Sequence, residues 1–194
     1  MDQPRDRLID AARTLFAQKG FHSSPMSELA SVARVSVGQI YRLFDDKNAI
    51  IRAIVEKDVL AQYRLLESLG EQVEAGSMSP QQGLEEFAMI SLSHPNQGLI
   101  YEFVAEGYRN PAVAEIIREV THEFRRHLRR LVRAAQPGIS EGALDAAEDM
   151  LLSLNIGTGN RELTGSRLAV PEAVQCYSKM LLGAFAALDR TKGQ

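Results

Sequence analysis

Met26-Ser27-Glu28-Leu29-Ala30-Ser31-Val32-Ala33-Arg34-Val35-Ser36-Val37-Gly38-Gln39-Ile40-Tyr41-Arg42-Leu43-Phe44 is the stretch that decides the fold. Two short helices cross at a large angle only where the residues facing each other at the elbow are small, and Ala30 supplies that position. Arg34 follows four residues later as the turn, with apolar Val35 beside it. Ser36 is placed to cap the second helix, and Ile40 with Leu43 or Phe44 to fix it against the first. Small residue, turn, then apolar residues at helical spacing is what a helix-turn-helix requires. The outward face of the second helix then carries Val37, Gly38, Gln39, Tyr41 and Arg42. Gln and Arg are the side chains that make bidentate contacts with adenine and guanine edges. Tyr41 and Lys47 are placed to reach phosphates. Ser24 as N-cap and Pro25 at the first helical position would open the preceding helix, whose free backbone N–H groups suit another phosphate.

Working outward, the pattern stays helical. Leu8, Ile9, Ala12, Leu15 and Phe16 form one stripe over residues 5–19, closed by Gly20 as a C′ glycine. Asp46 caps a long helix beginning near Lys47, with Ile50, Ile51, Ile54, Val55, Val59 and Leu66 inward. Residues 70–80, rich in Gly, Ser and Pro, are expected as a connection. Later helices are expected at 80–93, 95–108, 110–135, 140–160 and 170–190. Their breaks fall at His94-Pro95, Asn110-Pro111, Pro137-Gly138 and 164–171. The expectation is an all-α chain of about nine helices: a three-helix DNA-binding domain over 1–47, and a helical effector-binding and dimerisation domain over 48–194.

A bare helix-turn-helix pattern recurs by chance in helical proteins, so the frame around it matters. The first helix ends in Leu15-Phe16-Ala17-Gln18-Lys19-Gly20-Phe21, and the second opens Ser24-Pro25-Met26-Ser27-Glu28-Leu29-Ala30. Val35, Ser36, Gly38, Ile40, Tyr41, Phe44 and Lys47 then fall in a fixed register. Across residues 8–55 this frame resembles the TetR/AcrR family of transcriptional regulators. The resemblance implies a dimeric regulator, usually a repressor released from a palindromic operator by a small-molecule effector. It implies DNA contacts from Ser24, Pro25, Ser27, Arg34, Ser36, Val37, Gly38, Gln39, Tyr41, Arg42 and Lys47. Three departures stand out. Arg34 replaces the usual turn glycine, at about 1 kcal/mol if the backbone there is left-handed. Pro25 replaces a hydroxyl residue, and Leu43 stands where His or Tyr is frequent.

Composition narrows the class. Of 194 residues, 45% are apolar and 24% charged, as in an ordinary globular protein, and the aromatic share of 6% with no Trp points to aliphatic packing. The lone Cys176 forms no internal disulfide, and a reducing, cytoplasmic setting is expected. No signal-like start and no apolar run near the roughly 20 residues of a membrane span are seen. Net charge is −3, divided as +1 over residues 1–48 and −4 over the rest. A slightly basic head on an acidic body suits specific DNA binding better than a general nucleic-acid coat.

The family's last two helices usually pair with those of a second subunit, which nominates Leu144, Ala147, Leu151, Leu154, Val174, Tyr177, Leu181, Ala184 and Leu188 for the dimer face. Gly157, Gly159 and Gly183 would allow close helix approach. Effector-pocket candidates are Phe87, Met89, Tyr101, Phe103, Tyr108, Phe124 and Asn155, with Glu102, Glu106 and His94 as polar anchors. The bland reading makes the aromatics and Met plain core, and the carboxylates at 102 and 106 solvated. His122 and His127 lack the four-residue spacing of a zinc motif. The run Arg125-Arg126-His127-Leu128-Arg129-Arg130 follows Glu115, Glu119 and Glu123 and reads as a salt-bridged face. Neither metal nor cofactor is expected. The competing class is a helical small-molecule-binding protein or enzyme with an incidental helix-turn-helix. Against it stand the missing activated nucleophile and phosphate loop.

Overall fold

The computed structural model describes residues 3–93 and 97–190, without the side chains of Gln3, Gln97, Gly159, Glu162, Asp189 and Arg190. The break at His94-Pro95, the anchor His94 and the glycine at 159 therefore lie outside what is described. The described residues contain no strand. Their helices are α1 (Gln3–Lys19), α2 (Met26–Ala33), α3 (Val37–Leu43), α4 (Lys47–Glu74), α5 (Pro80–Leu92), α6 (Gln97–Gly107), α7 (Pro111–Ala135), α8 (Glu141–Gly157), the four-residue α9 (Arg161–Thr164) and α10 (Val170–Arg190). A 3₁₀ turn (Thr158–Asn160) joins α8 to α9. Nine of these helices have seven or more residues, matching the expected count, and α9 is the addition. Residue 70 is not part of a connection. It lies inside α4, where the side chain of Arg130 runs across the space a Cβ would fill.

Packing divides the chain after residue 60 rather than 47. One compact unit comprises Met1–Leu60 with Asn96–Thr121, the other Ala61–Pro95 with His122–Gln194. α4 and α7 each contribute to both.

In the first unit the stripe of α1 is fully buried, from Leu8 to Phe16, against Leu29, Ala30, Ile40, Phe44, Ile50, Ile51 and Ile54. Leu99 and Phe103 of α6, with Val113 and Ile116 of α7, complete the same core. Three short helices bury little apolar surface by themselves, so the head acquires its core from α4, α6 and α7. In the second unit Leu66, Leu84, Phe87, Leu128, Leu131, Leu144, Leu151, Leu181 and Phe185 form a separate core. Ser79 and Gln82 form a capping box at α5 with Pro80 in the first turn, and Ser140 caps α8.

The arginine run is laced to carboxylates, more widely than helical offsets alone foretell. Arg126 pairs with Glu123 along α7, whereas Arg130 reaches Glu74 of α4 at 2.7 Å. Arg125 and Arg129 close on the buried Glu148 of α8 at 2.7 and 3.0 Å. Single exposed pairs of this kind contribute little; a buried carboxylate held by two guanidiniums is costly to break.

Candidate nucleic-acid interface

α2 and α3 owe their geometry to two local devices. At the end of α2, Arg34 adopts a left-handed conformation (φ 55°, ψ 48°), and Val35 N–H reaches back to Ala30 O at 3.0 Å. This is the helix stop that usually takes glycine, realised here by an arginine. At the start of α3, Ser36 Oγ accepts from Gln39 N–H at 3.1 Å while Gln39 Oε1 accepts from Ser36 N–H at 2.8 Å, a reciprocal capping box. Ile40 (0% exposed) and Phe44 fasten α3 to the core, with Leu43 only half-buried. Ser36, Val37, Gly38, Gln39, Tyr41 and Arg42 are all exposed, so α3 is a protruding rod pinned along one edge. Pro25, Ser27 and Arg34 are exposed beside it.

Three nominated DNA contacts are corrected by this geometry. Ser24 does not cap α2. Pro25 occupies the N-cap, and the Ser24 hydroxyl is fully buried, donating to Gly20 O at 2.7 Å. It satisfies a carbonyl at the end of α1, and the exposed hydroxyl at this corner is that of Ser23, which sequence reasoning passed over. Lys47 is turned inward. Its ammonium donates to Phe21 O and lies 4.3 Å from the centre of the Phe21 ring. Burial holds its pKa below the usual lysine value, against the opposing pull of Glu106. Gln39 is exposed, yet its carbonyl oxygen already serves the cap, leaving the amide NH₂ as its free group.

The nominated pocket residues are divided between the two units. Tyr101, Glu102, Phe103, Glu106 and Tyr108 belong to the first unit; Phe87, Met89, Phe124 and Asn155 belong to the second. Phe87, Phe103 and Phe124 are core, Tyr101 is half-buried, and Tyr108 is 89% exposed. Met89 is 37% exposed, and Asn155 Oδ1 accepts from Ser91 Oγ at 2.9 Å. None of them lines the cleft of about 310 Å³ edged by Glu67, Glu74, Arg126, His127, Arg129, Arg130 and Arg133. In that cleft His127 stacks on Tyr63 at 5.2 Å. Burial and the neighbouring Arg126 depress its pKa. Burial, then the charge of Glu123, pushes the Tyr63 phenol up to about 12.

Five of the nine nominated dimer residues are taken up by the core of their own unit. Leu144, Ala147, Leu151, Val174 and Leu181 are buried within their own unit, and Leu154, Tyr177, Ala184 and Leu188 are half-buried. The more apolar stripe of each helix is the one its own chain consumes. Among the residues left outside, beside charged and amide side chains and Ile156, are Cys176, Met180 (70% exposed), Gly183 and Ala187 on α10 and Ala146 and Ser153 on α8. The α10 residues recur at intervals of four, three and four, the spacing of a helix-pairing seam.

A two-helix corner with one helix standing clear on a bed of α1 and α4 defines a helix-turn-helix protein. Residues 8–54 match the model of the bacterial regulatory proteins of the tetR family. The chain is 33% identical over 135 residues to the HTH-type transcriptional regulator UidR of Escherichia coli (strain K12), covering 68% of this chain and 66% of UidR. The aligned stretch thus spans just under two thirds of that relative. In fold it is similar to a TetR-family regulator of Mesorhizobium loti (TM-score 0.75, 20% identity, 97% of this chain and 98% of the other). It is also similar to FadR of Bacillus subtilis in complex with stearoyl-CoA (TM-score 0.67, 17% identity, 94% and 98%). The chain belongs to the TetR family, whose named members here are transcriptional regulators and not enzymes.

Proposed function

We propose that this protein is a sequence-specific DNA-binding regulator of transcription, acting as a dimeric repressor that a small-molecule effector releases from a palindromic operator. The observation that carries the reading is α3. Ile40, Phe44 and the half-buried Leu43 hold it, and Gly38, Gln39, Tyr41 and Arg42 face outward on a helix short enough to enter a major groove. Arg42 supplies a guanine-type fork, Gln39 its amide NH₂, and Tyr41 a hydroxyl for the backbone. A net charge of +1 in residues 1–48 keeps non-specific attraction modest, so base contacts have to carry selectivity.

Dimerisation serves that reading, because one seven-residue helix contacts too few bases. Two copies of α3 related by a two-fold axis fit half-sites about 34–36 Å apart. The exposed seam of Cys176, Met180, Gly183 and Ala187, with Ala146 and Ser153, is the face assigned to the partner copy. Its small residues let helices approach closely. A TetR-fold neighbour in complex with stearoyl-CoA supports a small-molecule effector in the helical body. An effector that moves the body by a coupling of about 1–3 kcal/mol changes operator affinity about 5–150-fold.

Titration with duplex DNA at two salt concentrations tests the reading. Arg42→Ala is expected to change sequence preference, and Tyr41→Phe to weaken binding to all duplexes alike. Met180→Lys is expected to yield a folded monomer in sedimentation, with operator affinity lost. If Tyr41, Gln39 and Arg42 can all be replaced without effect on DNA affinity, the surface is wrong.

A further inference from the structure

Glu102 and Glu106 lie four residues apart on α6, and reading DNA with α3 makes no direct use of either. Their oxygens converge on the turn between α1 and α2. Glu102 Oε1 accepts the Phe21 N–H at 2.6 Å, a short charge-assisted bond, while Lys47 donates to the Phe21 carbonyl. Phe21 is thus held by its N–H from α6 and by its C=O from α4. Glu106, with a side chain only 1% exposed, has Oε2 at 2.8 Å from His22 Nε2 and 3.6 Å from Arg109 Nη2. Neither neighbour is aligned as a good donor to that oxygen. Its Oε1 accepts from Asn110 Nδ2 at 3.1 Å, which also donates to Asn48 Oδ1 on α4 at 3.0 Å.

The held residues bracket the reading segment. α2 and α3 together span 26–43; Phe21 and His22 stand just before them, Lys47 and Asn48 just after. A buried carboxylate costs free energy that a well-packed apolar residue would not. Here Glu102 ties the entry of one helix-turn-helix directly to α6, and Glu106 reaches its exit through Asn110, which donates to both Glu106 and Asn48. We infer that Glu102 and Glu106 are positioning residues, which touch no DNA and set the pose of α2 and α3 by clamping both ends of that segment to α6. The inference rests on the DNA-reading role of α3 proposed above.

The test uses the full chain and two probes: a duplex selected by the wild-type protein from a randomised pool, and a scrambled duplex of equal length. Glu102→Gln and Glu106→Gln preserve side-chain size and remove one negative charge each. On charge alone, either change strengthens binding to phosphates. A positioning role predicts the opposite: affinity for the selected duplex falls about tenfold, within the range of coupling between sites, while scrambled-duplex affinity holds or rises. In Glu102→Gln the Phe21 amide proton resonance moves upfield. A merely structural role lowers melting temperature and leaves the selected-to-scrambled ratio intact. Should Glu106→Gln not fold, His22→Gln at a site 67% exposed reads the same contact, with the same loss of ratio expected. An unchanged ratio in folded variants that have lost the Phe21 shift overturns the inference alone. Failure of the wild-type protein to select any duplex overturns the reading of α3 and this inference with it.

Discussion

Gly20→Ala isolates the energetics of the turn that joins α1 to α2. Gly20 has φ of +79°, and a Cβ built on it falls 3.1 Å from Glu102 Oε1 and 3.5 Å from its Cδ. Two costs follow. A left-handed alanine costs about 1–2 kcal/mol. The methyl group also crowds the Glu102 carboxylate, which has to give by a few tenths of an ångström and so weakens its 2.6 Å hold on the Phe21 N–H. A hydrogen bond to a charged group contributes about 1.5–3 kcal/mol. Alanine restrains the unfolded chain and returns about 0.4–1 kcal/mol. The net destabilisation is at most about 4 kcal/mol. Gly76 provides the comparison, since it too is left-handed (φ +70°) but has nothing within 4 Å of its Cβ. Gly76→Ala therefore carries only the backbone cost, about 0.5–1.5 kcal/mol net. For a chain of this size each kcal/mol moves the melting temperature by about 2–4 °C. Thermal melts at matched protein concentration are expected to show Gly20→Ala lower by up to about 10 °C and Gly76→Ala by a few degrees. Combining Gly20→Ala with Glu102→Ala should give less than the sum of the two losses, because both act on the same contact. Equal melting of the two glycine variants would refute the argument.

Ile40→Ala empties the anchor of α3 and is expected to cost about 2–5 kcal/mol in a denaturant titration, with DNA affinity lost beside it; Val37→Ala on the exposed face of α3 should leave stability unchanged. Arg34→Gly relieves the left-handed arginine, and after the extra freedom it grants the unfolded chain, stability is expected to rise by at most about 1 kcal/mol in the same assay. The Tyr63 phenol, raised to about 12, contributes stability below the unfolded tyrosine value of about 10. That contribution fades as pH climbs through the folded value, so a phenolate absorbance titration should find a late-ionising group absent from Tyr63→Phe. His127 has the opposite sign. Its depressed pKa contributes stability above the unfolded histidine value of about 6.5, lost as pH falls through the folded value, and His127→Gln should flatten the acid limb of the stability curve.

Residues 26–44 by themselves determined the corner, the cap at Ser36, the inward Ile40 and the outward face of α3. Each of those follows from contacts within a few residues, and helical spacing reports such contacts directly. Helix positions downstream were legible for the same reason, through the glycine and proline breaks. Which of two stripes on one helix faces its own chain and which faces a partner is a different question. Periodicity named the stronger stripe of α8 and α10, and packing consumed that stripe internally, because the largest apolar area is the first to be buried. Likewise nothing local marks Ser24 as buried, Lys47 as turned onto Phe21, or Glu102 and Glu106 as a clamp rather than solvated charges. Those outcomes depend on residues up to 81 positions apart, as in the bond from Phe21 to Glu102. Only the tertiary structure brings such groups to within hydrogen-bonding distance, and there burial, not sequence spacing, decides what a charged side chain must pair with.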